Sequence, residues 1–440
     1  MPIPVKQGFQ KPRPLPLNPG SDGWETAVLL TERWLARQDR VDALLEQLTP
    51  GLPPQERARA QHLFYGAVRW AGRIESALAG LMSRPPRTKV RAVLFVAGFE
   101  LLSPDTEAAK VVHYVVGRAK TVTSLKEAGL INAVARKLAS RLAETPTSLA
   151  DAHAHPEWLV ARWERQFGAD ATRQLLEWNQ QPAPVYARWR NPATPVPDFL
   201  TASRWPGFYE LKAGNWEAVR ALAQSGDLYL QDPSTRLALE LLAPRRAEIM
   251  LDACAAPGGK SLMIADALSA AAPTDTTGAR LGHVVALDEP SARLDRLKEN
   301  LNRVPTNVTV SLMPADLRSV SARDFESCNL PANYDAVLLD APCSNTGVMR
   351  HRIDVKWRLQ EGDFAKHATQ QVDLLKAAAR LVREGGRLVY STCSIEPVEN
   401  GDVVQRFLKQ ARGWRLDRHV VALPWIDGHD GAGAFLLRRQ

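Results

Sequence analysis

Between Asp22 and about Ser140 the apolar side chains return every three or four positions. Ala27, Leu30 and Trp34 form one stripe, Leu63, Ala67 and Trp70 a second, and Val90, Leu94, Ala97 and Leu101 a third. Stripes of that period belong to helices with one face turned inward. Pro54 stands near the start of the third helix, and Pro50 and Pro104 punctuate the segments. The pattern predicts an all-helical domain over residues 22–145, with Trp34 and Phe64 in its core rather than on a base-stacking surface.

The pattern changes over residues 150–233. A helical stretch, EWLVARWERQFG, leads into short extended pieces, PVYARWRN and DLYLQD, separated by turns with Pro and Gly. In VYARWR, Tyr186, Arg188 and Arg190 alternate with Val185, Ala187 and Trp189, as in a half-buried strand. The arginines then face a binding partner or only water, and the alternation does not choose. This region reads as a small α+β linking module.

From Ser234 to the end of the chain, apolar strands and amphipathic helices alternate. The expected strands are Ile249–Leu251, His283–Leu287, Val308–Leu312, Tyr334–Leu339 and Arg387–Tyr390, with stretches such as TQQVDLLKAAARLVRE between them. That succession predicts a largely parallel, doubly wound α/β sheet over residues 234–440. Ligands of such sheets bind beyond the carboxyl ends of the strands, which directs attention to the residues there.

Composition adds limits. At 440 residues the chain exceeds one ordinary core and suits two or three domains. With 45% hydrophobic and 24% charged residues it has the make-up of a globular protein. No apolar run approaches the roughly 18–20 residues of a membrane span. Residues 1–21 are proline-rich and lack the apolar core of a signal peptide, so a disordered tail and a cytoplasmic location are expected. Cys254, Cys328, Cys343 and Cys393 form no C-x-x-C pair, which argues against a metal site or a disulfide framework. Residues 1–150 hold 21 Lys and Arg against 13 Asp and Glu, whereas residues 151–440 hold 35 of each. All the excess positive charge lies in the first third, the footprint of a polyanion partner or of a merely soluble basic domain.

The strand ends carry candidate chemistry. The first strand runs into Cys254, Ala255, Ala256, Pro257, Gly258, Gly259 and Lys260, where small residues let backbone pass close to a ligand before a helix starts. This is not G-x-G-x-x-G, and a P-loop needs Gly where Cys254 stands, so a dinucleotide or ATP site is disfavoured. The second strand ends in Asp288, suited to a ribose diol, and the third leads to Asp316, suited to an adenine amino group. Singly each acid could be a helix cap; at successive strand ends they outline a nucleoside pocket. The fourth strand delivers Asp340, Pro342 and Cys343 to the same rim, and the fifth delivers Cys393. If these two strands are neighbours, both thiols face one cavity with Asp340. Cys254 and Cys328 read as small buried hydrophobes.

DACAAPGGKS, DAPCS-x-TG and YSTCS-x-x-P-x-EN, in this order, resemble the RsmB/Sun family of bacterial 16S ribosomal RNA cytosine-C5 methyltransferases, within the wider NOL/NOP2/Sun group. The resemblance covers nearly the whole chain. LFYGAVRW and GLINAVARKL match landmarks of a NusB-like RNA-binding domain, and HPEWL and LQDPST those of the linking module. It implies a Rossmann-like class I methyltransferase domain, S-adenosyl-L-methionine as cofactor held by residues 254–260, Asp288, Asp316 and Asp340, and small-subunit ribosomal RNA as partner of a monomer without metal. It further implies that Cys393 attacks carbon 6 of cytosine, that Asp340 holds the base edge and, when protonated, donates to N3, and that Cys343 assists release. DNA cytosine-5 enzymes attack instead from a Pro-Cys at the fourth strand, so exchanged roles for the two cysteines stay open. In RHRIDVKW, Ile353 stands where the family commonly has Pro, which leaves the path of that loop in question.

The segment MRHRIDVKWR, just beyond the Cys343 loop, adds Arg350, Arg352, Lys356 and Arg358 as candidate phosphate contacts. A flipped or single-stranded base is needed to reach a buried thiol. Two other functions fit the chain: methylation of transfer RNA, and a non-catalytic RNA-binding or assembly role on a methyltransferase fold. The intact cysteines, Asp340 and glycine turn argue against the second.

Overall fold

The computed structural model describes residues 18–20, 22–48, 51–82, 84–103, 105–270 and 282–440. The tail expected at residues 1–21, apart from 18–20 themselves, and the punctuating Pro50 and Pro104 lie outside the described residues. The chain divides into two compact units: residues 1–180 with 352–358, and residues 181–351 with 359–440.

The first unit is helical. Its longer helices span Gly23–Arg37, Pro54–Arg69, Thr88–Leu101, Ala108–Val122 and Leu125–Ala143. Pro54 occupies the first helical turn, where its missing N–H has no partner to lose. Ser124 and Glu127 cap the last of these helices reciprocally. The predicted stripes meet in one core that contains Trp24, Trp34, Phe64, Phe95 and Ile131, so Trp34 and Phe64 are core residues as expected. Ala169–Gln180 forms a further helix; its buried positions Thr172, Leu175, Leu176 and Asn179 keep the helical spacing, but two of the four are polar and dilute the apolar stripe.

Residues Arg352–Arg358 group with this helical unit. Ile353, the departure from the family pattern, is 1% exposed and joins the helical core. The Trp357 indole N–H donates to the Val68 carbonyl at 2.8 Å, and Lys356 Nζ donates to the Arg69 carbonyl at 3.0 Å.

The second unit carries two sheets. The smaller is antiparallel, with β1 Tyr186–Trp189, β2 Leu200–Ala202, β3 Phe208–Leu211 and β4 Leu228–Leu230 in the order β2-β3-β1-β4. In β1 the adjacent Ala187 and Arg188 are both buried, so burial does not alternate as expected, and neither Arg188 nor Arg190 just beyond the strand lies open to water. Arg188 Nη1 and Arg190 Nη2 both reach Asp266, at 2.6 and 2.8 Å, and Arg190 also donates to the carbonyls of Gly226 and Arg303.

The larger sheet comprises β5 Ile249–Ala253, β6 His283–Asp288, β7 Thr309–Pro314, β8 Tyr334–Asp340, β9 Val382–Thr392, β10 Trp414–Ala422 and β11 Ala432–Arg439. The order is β10-β11-β9-β8-β5-β6-β7. Strands β5 to β9 are parallel, as predicted, and fully buried runs such as Val337–Leu339 reflect cover on both faces. The antiparallel pair β10–β11 makes the sheet mixed rather than wholly parallel. The polar edge strand β10, WRLDRHVVA, carries little apolar signal, which is why sequence patterning missed it. No helix among the described residues is long and apolar enough to cross a membrane.

Candidate active site

Strands β8 and β9 are hydrogen-bonded neighbours, with Asp340 in register with Ser391. The two turns that follow bring the sulfurs of Cys343 and Cys393 to 3.3 Å. Cys343 is buried, and its thiol is held far above the ordinary range by its hydrogen bond with Cys393 and by burial. Cys393 is half-buried and lines a small cavity with Lys260, Ser391, Thr392, Ser234 and Ala432. Asp340 sits at the same rim, ion-paired with Lys260 and accepting from the Ser391 hydroxyl at 2.9 Å.

A buried carboxylate joins the two turns. Glu399, fully buried, accepts from the Ser344 backbone N–H at 2.9 Å and from the Gln371 amide at 3.2 Å on one oxygen. Its other oxygen takes the Ser344 hydroxyl and, at 2.5 Å, the Ser394 hydroxyl. Ser344 follows Cys343 and Ser394 follows Cys393, so one side chain ties together the backbones that carry the two thiols. Asn400 braces the Cys393 turn on its own, accepting from Thr392 Oγ1 at 2.7 Å and donating to the Ser394 carbonyl at 2.8 Å. The P-x-EN run that carries Glu399 and Asn400 is visible in the sequence, but the hydroxyl and amide groups that give them their role come together only in the fold.

The turn after β5 has the expected shape. Gly258 has φ +107°, and a Cβ there would lie 2.9 Å from Leu297. The Ala256 N–H donates to Asp288 Oδ2 at 2.8 Å, which locks the turn to the end of β6. The other Asp288 oxygen meets only the exposed guanidinium of Arg293, at 3.2 Å. Asp316, after β7, is held below the usual carboxylate range by the Arg318 side chain, which donates to it at 2.9–3.0 Å. Inside the turn, Asp252 is wholly buried. It accepts from the Ser261 hydroxyl at 2.5 Å, while its Oδ1 has no partner among the described residues. Burial, only partly offset by Ser261, lifts this carboxyl to about 7. Cys254 adopts φ +61° within the turn, and burial pushes its thiol up. Cys328, expected to be buried, is exposed at the end of a short surface helix.

The four basic residues proposed for phosphate contact do not share one fate. Lys356 is 2% exposed and its amine is driven well below the ordinary lysine range by burial and by Arg69, which removes it from any RNA surface. Arg350 donates twice to the Pro182 carbonyl, at 3.1 and 2.6 Å. Arg358 is paired with Asp354 at 2.6 Å. Arg352 keeps 45% of its side chain exposed, 3.6 Å from Asp42. The correction has a plain cause: charge is visible in a sequence, but the carbonyls and acids that absorb it are not.

His351 closes the Cys343 loop. Its Nδ1 lies 3.0 Å from Asp430 and its Nε2 3.3 Å from the Pro184 carbonyl. With Asp232 these groups form a cluster whose polar atoms lie within 4.8 Å of one another. A carbonyl only accepts, so Nε2 donates to it, and a carboxylate facing Nδ1 favours the charged ring. Burial opposes that charge, yet the Asp430 carboxylate outweighs it and raises His351 above its ordinary value. Burial and the Asp430 charge push Asp232 up to about 6.

Comparison with known proteins identifies this arrangement. Residues 239–427 match the family model described as 16S rRNA methyltransferase RsmB/F, and residues 24–140 match the NusB family. Ribosomal RNA small subunit methyltransferase B of Pasteurella multocida is 32% identical over 436 residues, covering 92% of each chain. The protein of the same name from Serratia proteamaculans is 31% identical, over 89% of this chain and 90% of its own. Among solved structures, that of PH0851 superposes with a TM-score of 0.74 at 21% identity, over 95% of this chain and 98% of that one. The structure of NSun6 from Pyrococcus horikoshii with SFG has a TM-score of 0.53 at 18% identity, over 65% and 99%. A NusB domain preceding a Rossmann-like sheet with this rim makes the protein a methyltransferase. The chain belongs to the 16S rRNA methyltransferase RsmB/F family.

Proposed function

We propose that this protein methylates carbon 5 of a cytosine in small-subunit ribosomal RNA, through a covalent bond between Cys393 and carbon 6, with S-adenosylmethionine as methyl donor. The observation that carries the reading is the pair of thiols 3.3 Å apart at neighbouring strand ends, beside Asp340. The helical NusB unit and the names of the relatives favour ribosomal over transfer RNA.

The residues fit the donor. The glycine turn gives close backbone approach, the outer oxygen of Asp288 is available to a ribose diol, and Asp316 stands at the next strand end for the adenine. The buried, unpartnered Oδ1 of Asp252 adds an acceptor beneath the turn. Bound S-adenosylmethionine supplies an electrophilic methyl group.

Carbon 5 of cytosine is a weak nucleophile until a thiolate adds to carbon 6. The bond from Cys393 Sγ to carbon 6 forms, the ring electron pair moves to carbon 5, and carbon 5 takes the methyl group. A base takes the carbon 5 proton, and the electron pair of that C–H bond rebuilds the ring double bond as the carbon 6–sulfur pair leaves with Cys393. Asp340 holds the base edge. Cys343, 3.3 Å away, assists the release by hydrogen-bonding the departing sulfur. The burial of Cys343 and the opening of Cys393 onto the cavity favour Cys393 as the attacking residue.

The test is a denaturing gel of protein with labelled ribosomal RNA and methyl donor. Cys393→Ala gives neither adduct nor product, while Cys343→Ala accumulates a nuclease-sensitive adduct. The opposite pattern exchanges the roles, and full methylation by both variants overturns the covalent route. Bisulfite sequencing of the product then reads whether carbon 5 of cytosine carries the methyl group.

A further inference from the structure

The residue between the two catalytic turns is Asn345, and its conformation is unusual. It adopts φ +62° and ψ 26°, in the left-handed region that glycine enters most easily. Its amide spans both cysteines: Nδ2 donates to the Cys343 carbonyl at 2.9 Å, and Oδ1 accepts from Cys393 Sγ at 3.2 Å. The carbonyl can only accept, so the nitrogen end of the amide is fixed against it. The oxygen end must therefore face the Cys393 sulfur.

We propose that Asn345 is a positioning residue that latches Cys393 in its protonated form before RNA arrives. An amide oxygen accepts the S–H proton but repels a thiolate, so this contact favours the neutral sulfur. The thiolate is the nucleophile, and it forms once the Asn345 oxygen has turned away. The latch keeps a half-buried thiol from reacting with other electrophiles while the base is absent. The inference rests on the reading of Cys393 as the nucleophile, but the contact itself does not.

Other charged and titratable groups face the same sulfur. Cys343 comes from the loop after β8, and Asp340 from the end of β8 itself. Lys260 comes from the helix after β5 and lines the Cys393 cavity, and Glu399 holds the turn from below through Ser394. None of these changes in an Asn345 variant, so a change in sulfur reactivity reports the amide.

The experiment is alkylation of the full-length protein by iodoacetamide without RNA, with the labelled peptide identified by mass spectrometry and Cys393→Ala as the assignment control. Asn345→Gly suits the backbone conformation and removes the acceptor. At neutral pH its Cys393 alkylates about 2- to 10-fold faster than wild type, the range of one ordinary hydrogen bond. Asn345→Asp puts a negative charge against the sulfur and alkylates more slowly. The rate-against-pH curve moves to lower pH in the first variant and to higher pH in the second, a displacement that loosened packing does not produce. Equal curves for all three proteins, or slower alkylation of Asn345→Gly, overturn the latch. A melting curve for each variant shows that reactivity is compared between folded proteins. Failure of the nucleophile assignment would appear separately, as methylation surviving in Cys393→Ala.

Discussion

Removing the buried carboxylate of Glu399 tests whether the two-thiol geometry is held by hydrogen bonding. Four donors converge on it: the Ser344 N–H and the Gln371 amide on one oxygen, and the Ser344 and Ser394 hydroxyls on the other. In Glu399→Gln the amide oxygen can keep the first pair. The new NH₂ meets two hydroxyls that can rotate to accept, so every partner stays satisfied. What is lost is the charge assistance, from ~1.5–3 to ~0.5–1.5 kcal/mol per bond, offset in part because a charge is no longer buried. A net cost of about 1–2 kcal/mol follows. Glu399→Ala leaves the Ser344 N–H buried and unpaired, at ~1–3 kcal/mol, and opens a cavity besides. Its cost is about 3–5 kcal/mol. At roughly 2–4 °C per kcal/mol for a unit of this size, the Ala variant melts roughly 10 °C lower and the Gln variant roughly 4 °C lower. Amide hydrogen exchange gives the local readout, because Ser344 should lose protection in the Ala variant and keep most of it in the Gln variant. Methylation should fall in the same order, as the thiols lose their common tie. Equal melting of the two variants, or an Ala variant within 1 kcal/mol of wild type, would refute the reasoning.

Two further outcomes follow from paired charge. Asp266→Ala strands the guanidinium groups of Arg188 and Arg190, whose side chains are 10% and 4% exposed, and should cost about 3–5 kcal/mol in denaturant unfolding; a loss below 1 kcal/mol would mean that carbonyls alone satisfy them. For His351 the folded protein binds the proton more tightly than the unfolded chain. Its stabilising contribution is therefore complete below about pH 6.5 and is lost as pH rises through its raised value. The ring proton resonance of His351 should titrate above 6.5 and move down in Asp430→Asn; a midpoint at or below 6.5 in wild type would remove the imidazolium.

Much of the architecture was legible because burial leaves a period. The helical stripes, the five parallel strands and the acids at their ends are all consequences of which face meets a core, and they stand where the sequence put them. The residues that went unread share a different property. Arg188, Arg190, Lys356 and Arg350 are cations whose partners lie 78, 76, 287 and 168 positions away in the chain, beyond any local pattern. Glu399 is the converse case, a carboxylate with no cation, satisfied wholly by hydroxyls and amides. Local spacing carries the fold, while the matching of polar groups is a property of the folded surface.

That division bears on how the site works. Motifs at strand ends deliver Cys343 and Cys393 to one rim, and strand pairing alone brings their backbones to about 4.8 Å. Closing the sulfurs to 3.3 Å falls to the turns rather than to strand pairing. The form of the turns comes from Glu399, Asn400 and the hydroxyls of Ser344, Thr346 and Ser394, all buried. A polar network that is fully satisfied is rigid, and one that loses a member becomes costly at once. Rigidity has a chemical use in the covalent route proposed above, because the departing sulfur of Cys393 then keeps its hydrogen-bond partner at a fixed distance. The PCS and TCS contexts are therefore more than markers of two cysteines: the serine after each is the handle by which a single carboxylate sets the distance between the sulfurs.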